Sequence, residues 1–75
     1  MPKEKMGFCI NRMIHAANNF NLDVIDKVMK TLREYHMPEV LEEDIEKLDE
    51  YVIDVDMENI LRKSKEIFNK LDNVW

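Results

Sequence analysis

The sequence predicts an all-α protein, a small antiparallel helical bundle of about four short helices, with homodimerisation as a possible way to complete it. Apolar residues recur every three or four positions through almost the whole chain, and strand-like alternation never lasts beyond a few residues. The 75 residues include one Gly and two Pro, so few residues interrupt a helix. With 45% apolar and 36% charged residues, the chain is expected to form one ordered domain over residues 1–75.

The first helix is predicted over residues 3–18, and Pro2 suits its start. The segment NNFN at 18–21 contains Asn residues that tolerate a left-handed conformation, so the chain is expected to turn there. Asn21 is a candidate N-cap for the next helix. The apolar stripe of the first helix comprises Met6, Cys9, Ile10, Met13, Ile14 and Ala17, with Phe20 just beyond.

The second helix is predicted over residues 22–36. It is expected to end before Pro38, because a proline ring disfavours helical geometry at the residue before it. Its basic residues lie toward its C-terminus, where the helix dipole favours positive charge. The apolar stripe comprises Leu22, Ile25, Val28, Met29, Leu32 and Tyr35.

The third and fourth helices are predicted over residues 38–52 and 57–73. The stripe of the third comprises Leu41, Ile45, Leu48 and Val52. Its end stays open, because residues 52–55 alternate and include β-branched side chains, which suits either an extended linker or a last helical turn. Asp56 is the expected N-cap of the fourth helix. The fourth stripe comprises Met57, Ile60, Leu61, Ser64, Ile67, Phe68, Leu71 and Val74. No internal repeat is evident at the periods usual for helical solenoids.

Charge is distributed very unevenly. The net charge is −5, but residues 39–58 hold ten of the 16 acidic residues and a single base, Lys47. A net negative charge argues against sequence-independent nucleic-acid binding, which depends on neutralising phosphates. The chain has a lone cysteine, no stretch typical of a signal peptide, and no run near the roughly 20 apolar residues of a membrane span. It is therefore expected to be cytoplasmic, without membrane contact.

Neither an enzyme nor a cofactor or metal site is expected. Cys9 and His15 are six residues apart and point to different sides of a helix. Residues 54–59 begin like a calcium loop, but Asn59 and Lys65 stand where that loop requires Gly and Glu. The only glycine is Gly7, so no Gly-rich phosphate loop exists. No pair of side chains suggests nucleophilic or acid–base catalysis.

The outer face of the third helix is the candidate site. Several of its acids are three or four residues apart, and such like-charge pairs destabilise a helix. Two interpretations stay open: a solvated face that needs no partner, or a surface that steers the protein to a basic protein partner. The candidate partner-binding residues are Glu42, Glu43, Glu46, Asp49, Glu50 and Asp54.

The function expected from this surface is that of a non-enzymatic protein-interaction module. Small acidic helical proteins include inhibitors, antitoxin-like proteins and regulatory proteins. The comparison with them is one between broad classes of protein. The alternative is an accessory subunit or assembly module that uses the apolar surface of the first and fourth helices. A helix-turn-helix DNA-binding regulator is less favoured, because the second helix begins with acidic residues that would repel phosphates. The candidate oligomer contacts are Phe8, Phe20, Phe68 and Trp75.

Overall fold

Residues 3–74 are described by a computed structural model, and they form four α-helices with no strand among them. The helices are α1 (Lys3–Asn18), α2 (Leu22–Arg33), α3 (Glu39–Ile53) and α4 (Met57–Val74). The predicted fold class, a small all-α bundle, is confirmed. The expectations placed on Pro2 and Trp75 lie outside the described residues.

The helix boundaries agree with the prediction except at α2. This helix ends at Arg33, three residues earlier than expected. The backbone N–H of Glu34 donates to the Thr31 carbonyl (3.2 Å) and that of Tyr35 to the Leu32 carbonyl (3.4 Å). The chain then runs without helix to Pro38, whose φ of −55° and ψ of 141° place it just before α3. Residues 52 and 53 belong to α3, so the open question at its end is settled in favour of a last helical turn.

Each helix buries one apolar stripe against its neighbours. α1 packs most extensively against α4, and the hairpins α1–α2 and α3–α4 are also closely packed, whereas α2 and α3 touch least. Burial of these stripes is the main force that holds the bundle together. The buried apolar residues are Met6, Ile10, Met13, Ala16, Ala17, Ile25, Val28, Met29, Leu32, Leu41, Ile45, Leu48, Ile60, Ile67 and Leu71.

Four apolar residues that were assigned to the stripes or, for Phe20, placed just beyond one are exposed. Phe20 is 72% exposed because it follows the end of α1 in a left-handed conformation. Leu22 is the first residue of α2 and Tyr35 follows its end by two residues, and Phe68 lies at the outer edge of the α1–α4 seam.

The turn between α1 and α2 and the turn between α3 and α4 have the same pattern of backbone hydrogen bonds. At the first, the N–H of Asn21 donates to the Ala16 carbonyl (2.9 Å) and that of Phe20 to the Ala17 carbonyl (3.3 Å). This is the Schellman pattern of a helix C-terminus. Asn21 then caps α2 by accepting a hydrogen bond from the N–H of Val24 (3.3 Å). The N-cap expected at Asn21 is thus present.

The second turn repeats this arrangement 35 residues later. The N–H of Asp56 donates to the Tyr51 carbonyl (2.9 Å) and that of Val55 to the Val52 carbonyl (3.1 Å). Asp56 accepts from the N–H of Asn59 (3.3 Å), as expected of an N-cap. The two turns are therefore equivalent in backbone hydrogen bonding, although no repeat is evident in the sequence. We call the end of the bundle that carries both turns, residues 19–24 and 53–58, the turn end.

Both turns place an apolar residue where glycine is usual. Phe20 and Val55 each have φ of 54°, and they are the residues with positive φ in the described chain. A left-handed conformation costs a side-chain-bearing residue about 1–2 kcal/mol, and a β-branched residue is a particularly poor choice. Phe20 and Val55 therefore make the two turns less stable than glycine would.

Ser64 is fully buried in α4, and its hydroxyl is a buried polar group without a hydrogen-bond partner among the described residues. Because an unpaired buried hydroxyl retains its desolvation cost, we expect Ser64→Ala to raise the free energy of unfolding by about 1 kcal/mol. Urea denaturation followed by circular dichroism measures this change. A loss of stability would show that the hydroxyl is bonded in solution.

Candidate functional site

The outer face of α3 is exposed along its length. Glu42, Glu43 and Glu46 are exposed, and no ion pair among residues 3–74 involves them. Glu50 is also exposed and lies 3.7 Å from the Nζ of Lys47, one turn away on the same helix. An exposed pair at this distance contributes little and is screened by salt. We call Glu42, Glu43, Glu46 and Glu50 the acidic face.

Asp49 and Asp54 lie at the margins of the acidic face. Asp49 is half-buried, and its carboxylate accepts a hydrogen bond from the guanidinium of Arg33 on α2. Its charge is thus compensated within the fold. Asp54 is exposed and follows the last residue of α3, so it belongs to the turn end. Sequence reasoning placed all six residues on one outer arc, whereas the structure brings four together and places these two at the edges.

The best-buried charge in the structure, Asp44, had not been singled out. Asp44 is only 7% exposed and faces α4. Its Oδ1 lies 2.9 Å from the Nζ of Lys63, and its Oδ2 accepts a hydrogen bond of 3.0 Å from the Nζ of Lys70. Glu66 lies within 3.7 Å of both lysines. Asp44 therefore joins α3 to α4 through two charged hydrogen bonds.

The electrostatics of Asp44 follow from this arrangement. Burial by itself raises the pKa of a carboxyl group, but hydrogen bonds and charges from the two lysines outweigh it and lower the pKa of Asp44 below 3.8. The hydrogen bond from Lys63 to Asp44 raises the pKa of Lys63 above 10.5, against the opposing effect of its own burial. Both groups are thus charged at neutral pH.

The sequence contains only part of the information that specifies this network. Lys63 and Lys70 are seven residues apart, so they lie on the same face of a helix with Glu66 between them. Asp44 adjoins the apolar stripe at Ile45, on the side that turns toward α4. The packing partner of α3 was not deducible from periodicity alone, so the pairing could not be predicted.

A shallow concavity of about 490 Å³ lies between the acidic face and α4. Four carboxylates and two lysines line it: Glu43, Asp44, Glu46, Lys47, Glu50 and Lys63. Asp44 is paired with Lys63 and Glu50 lies 3.7 Å from Lys47, so two carboxylates in this concavity, those of Glu43 and Glu46, have no ion pair among the described residues. The acidic face is thus partly concave.

Phe20 lies apart from Phe8 and Phe68, the other described aromatic residues proposed as oligomer contacts. Phe8 is 64% exposed on α1, and Phe20 lies at the turn end, roughly 18 Å farther along by helical rise. Phe68 lies with Gly7 and Leu71 in a pocket of about 290 Å³ at the α1–α4 seam. Trp75 lies outside the described residues. A dimer contact through Phe20 would therefore use a different patch from one through Phe8 or Phe68.

The remaining reactive side chain is Cys9. Burial raises the pKa of its thiol above 9.0, and the charges of Arg12 and Lys5 offset this only in part. The thiol is therefore protonated at neutral pH and weakly nucleophilic. Among residues 3–74, no group of three or more His, Cys, Asp and Glu side chains is arranged to hold a metal ion.

No family model matches the chain, and no curated protein or solved structure is significantly similar to it. None of the helices described over residues 3–74 has the length and apolar character needed to cross a bilayer. Function is accordingly argued from the surface itself.

We expect Asp44→Asn to lower the free energy of unfolding by about 2 kcal/mol at pH 7, because two partly buried lysines lose their counter-charge. The folded pKa of Asp44 lies below its unfolded value of 3.8, so its contribution is complete above that pH and is lost as the pH falls through the folded value. Urea denaturation between pH 7 and pH 2 measures both effects.

The matched control is Asp72→Asn, because Asp72 pairs with Lys3 but is 82% exposed. We expect this substitution to change stability by less than about 0.5 kcal/mol. Equal losses in the two variants would contradict a special role for Asp44.

Proposed function

We propose that the protein is a non-enzymatic interaction module whose acidic face binds a protein partner with a basic surface. The observation that carries this proposal is that only some of the acids of α3 form ion pairs with neighbouring helices. The bases of α2 and α4 bind Asp44 and Asp49, whereas Glu42, Glu43 and Glu46 have no ion pair among residues 3–74. The unpaired charges are adjacent, exposed and of one sign, which is the arrangement that accelerates encounter with a basic surface.

The concavity beside the acidic face supports the same proposal. A lysine or arginine side chain that enters it meets Glu43, Glu46 and Glu50 from one side. The like-charge repulsion between these acids is relieved when a cation binds among them. The protein then acts as an inhibitor or regulator by occupying the basic surface of its partner. The two alternatives are an assembly module that binds through apolar patches and a DNA-binding regulator.

A triple charge reversal, Glu43→Lys, Glu46→Lys and Glu50→Lys, tests the proposal. We expect it to weaken partner binding by on the order of 100-fold, because three attractive contacts become repulsive. The measurement is affinity capture from an extract of the source organism with tagged protein, followed by titration of each captured protein. Captured proteins should be basic, and their affinity should fall steeply as salt is raised.

The matched control reverses Glu4, Asp26 and Asp72, which are exposed acids of α1, α2 and α4. It carries the same net charge as the test variant and should retain the partner. Equal capture by the wild-type protein and the test variant would contradict the proposal and favour the assembly module. A shift of duplex DNA by the wild-type protein at low salt would favour the regulator.

A further inference from the structure

The turn end carries an apolar surface that the acidic face does not explain. Phe20 is 72% exposed, Ile53 70% and Val55 52%. Leu22, two residues after Phe20, is also exposed. All four belong to the two turns or to the helix residues next to them. Phe20 also lines a groove of about 410 Å³ with Met57 and Leu61 of α4, so part of this surface is concave. The turn end therefore offers both protruding side chains and a recess.

Backbone conformation gives an independent reason to regard this surface as selected. Phe20 and Val55 occupy equivalent left-handed positions, where glycine or asparagine avoids steric strain. Their side chains gain little from burial because they are mostly exposed. Strain that the fold does not require is typical of a functional site. An apolar residue occupies the left-handed position in both turns, and both turns lie at the same end of the bundle.

Charge at the turn end indicates what it binds. Residues 19–24 and 53–58 include four acids, Asp23, Asp54, Asp56 and Glu58, and no base. Asp23, Asp56 and Glu58 lie at the N-termini of α2 and α4, where the helix dipole favours acids, and Asp54 follows the C-terminus of α3. The surface as a whole remains negative. A second copy of the chain would oppose acid with acid across the contact. A basic partner is complementary to the same surface.

We infer that the turn end binds the apolar side chains of a basic amphipathic helical segment, with Phe20, Ile53 and Val55 as contacts and the surrounding acids facing the segment's bases. The inference rests on the proposed function in one respect, because it assigns one partner to both the acidic face and the turn end. Asp54 lies at the margin of the acidic face, within the turn end, and connects these two surfaces. It adds that the partner contributes apolar anchors as well as charge. Such amphipathic segments bind through apolar residues at helical spacing.

The test uses two synthetic peptides of about 18 residues, or five helical turns. One carries Leu along one face and Lys elsewhere, and the other has Ala in place of each Leu. We expect the wild-type protein to bind the Leu peptide at least about ten-fold more tightly by isothermal titration calorimetry. Amide chemical-shift changes specific to the Leu peptide should concentrate at residues 19–24 and 53–58.

The double variant Phe20→Gly with Val55→Gly separates binding from stability. It should bind the Leu peptide no better than the Ala peptide, while its melting temperature rises by about 4 °C or more because glycine relieves the strained conformation. Asparagine at both positions is a second variant that tolerates the same backbone. The matched control is Phe8→Ala, since Phe8 is 64% exposed but lies away from the turn end. It should retain the preference for the Leu peptide.

Several results would overturn the inference. These are equal affinities for the two peptides, shift changes centred at the α1–α4 seam or between α2 and α3, or a fall in melting temperature in the glycine variant. A wild-type dimer that becomes monomeric in the double variant would identify a second copy as the occupant instead. The charge reversal at Glu43, Glu46 and Glu50 reports separately on the acidic face, because it leaves Phe20, Ile53, Val55 and the acids of the turn end unchanged.

Discussion

The contact between α1 and α4 is the one on which the rest of the structure depends. These helices are the farthest apart in sequence, and they pack more extensively than any other pair, whereas α2 and α3 touch least. Without this contact the molecule would be two hairpins, each with an uncovered apolar stripe. The free energy gained by burying both stripes against each other offsets the entropy lost in bringing the ends of the chain together.

Charge acts on top of this apolar core in two distinct ways. Asp44 and its two lysines lie inside the α3–α4 hairpin, where partial burial strengthens their interaction. Glu42, Glu43 and Glu46 lie outside, where solvent weakens their mutual repulsion enough for α3 to tolerate them. The same short segment therefore contains acids that stabilise the fold and acids whose benefit, on our proposal, comes only from a partner.

Much of the fold could be predicted from the sequence, since four apolar stripes fix four helices and Asn21 and Asp56 are visible as caps. The end of α2 could not, because Tyr35 continues the apolar period although the chain leaves the helix before it. The left-handed residue of the first turn was expected among the asparagines, and it is Phe20. Backbone hydrogen bonds to Ala16 and Ala17 fix that position, and residue preference does not override them.

The candidate site was only partly predictable. A helical wheel places acids on an outer arc, but it does not say which neighbour will supply a base, so Asp49 was grouped with exposed residues although Arg33 binds it. The equivalence of the two turns was hidden for a similar reason. It lies in hydrogen-bond geometry, and the residues that share it, Phe20 with Val55 and Asn21 with Asp56, are not identical.

The ion pair between Lys3 and Asp72 has a consequence for topology. It lies between the first turn of α1 and the last turns of α4, so the two ends of the described chain are neighbours in space. A short linker could join them, and new termini could be opened in the connection at 34–38, beside the least extensive helix contact. The permuted chain, in the order α3–α4–α1–α2, contains the same four helices and allows the same helix pairs, so we expect it to form the same bundle.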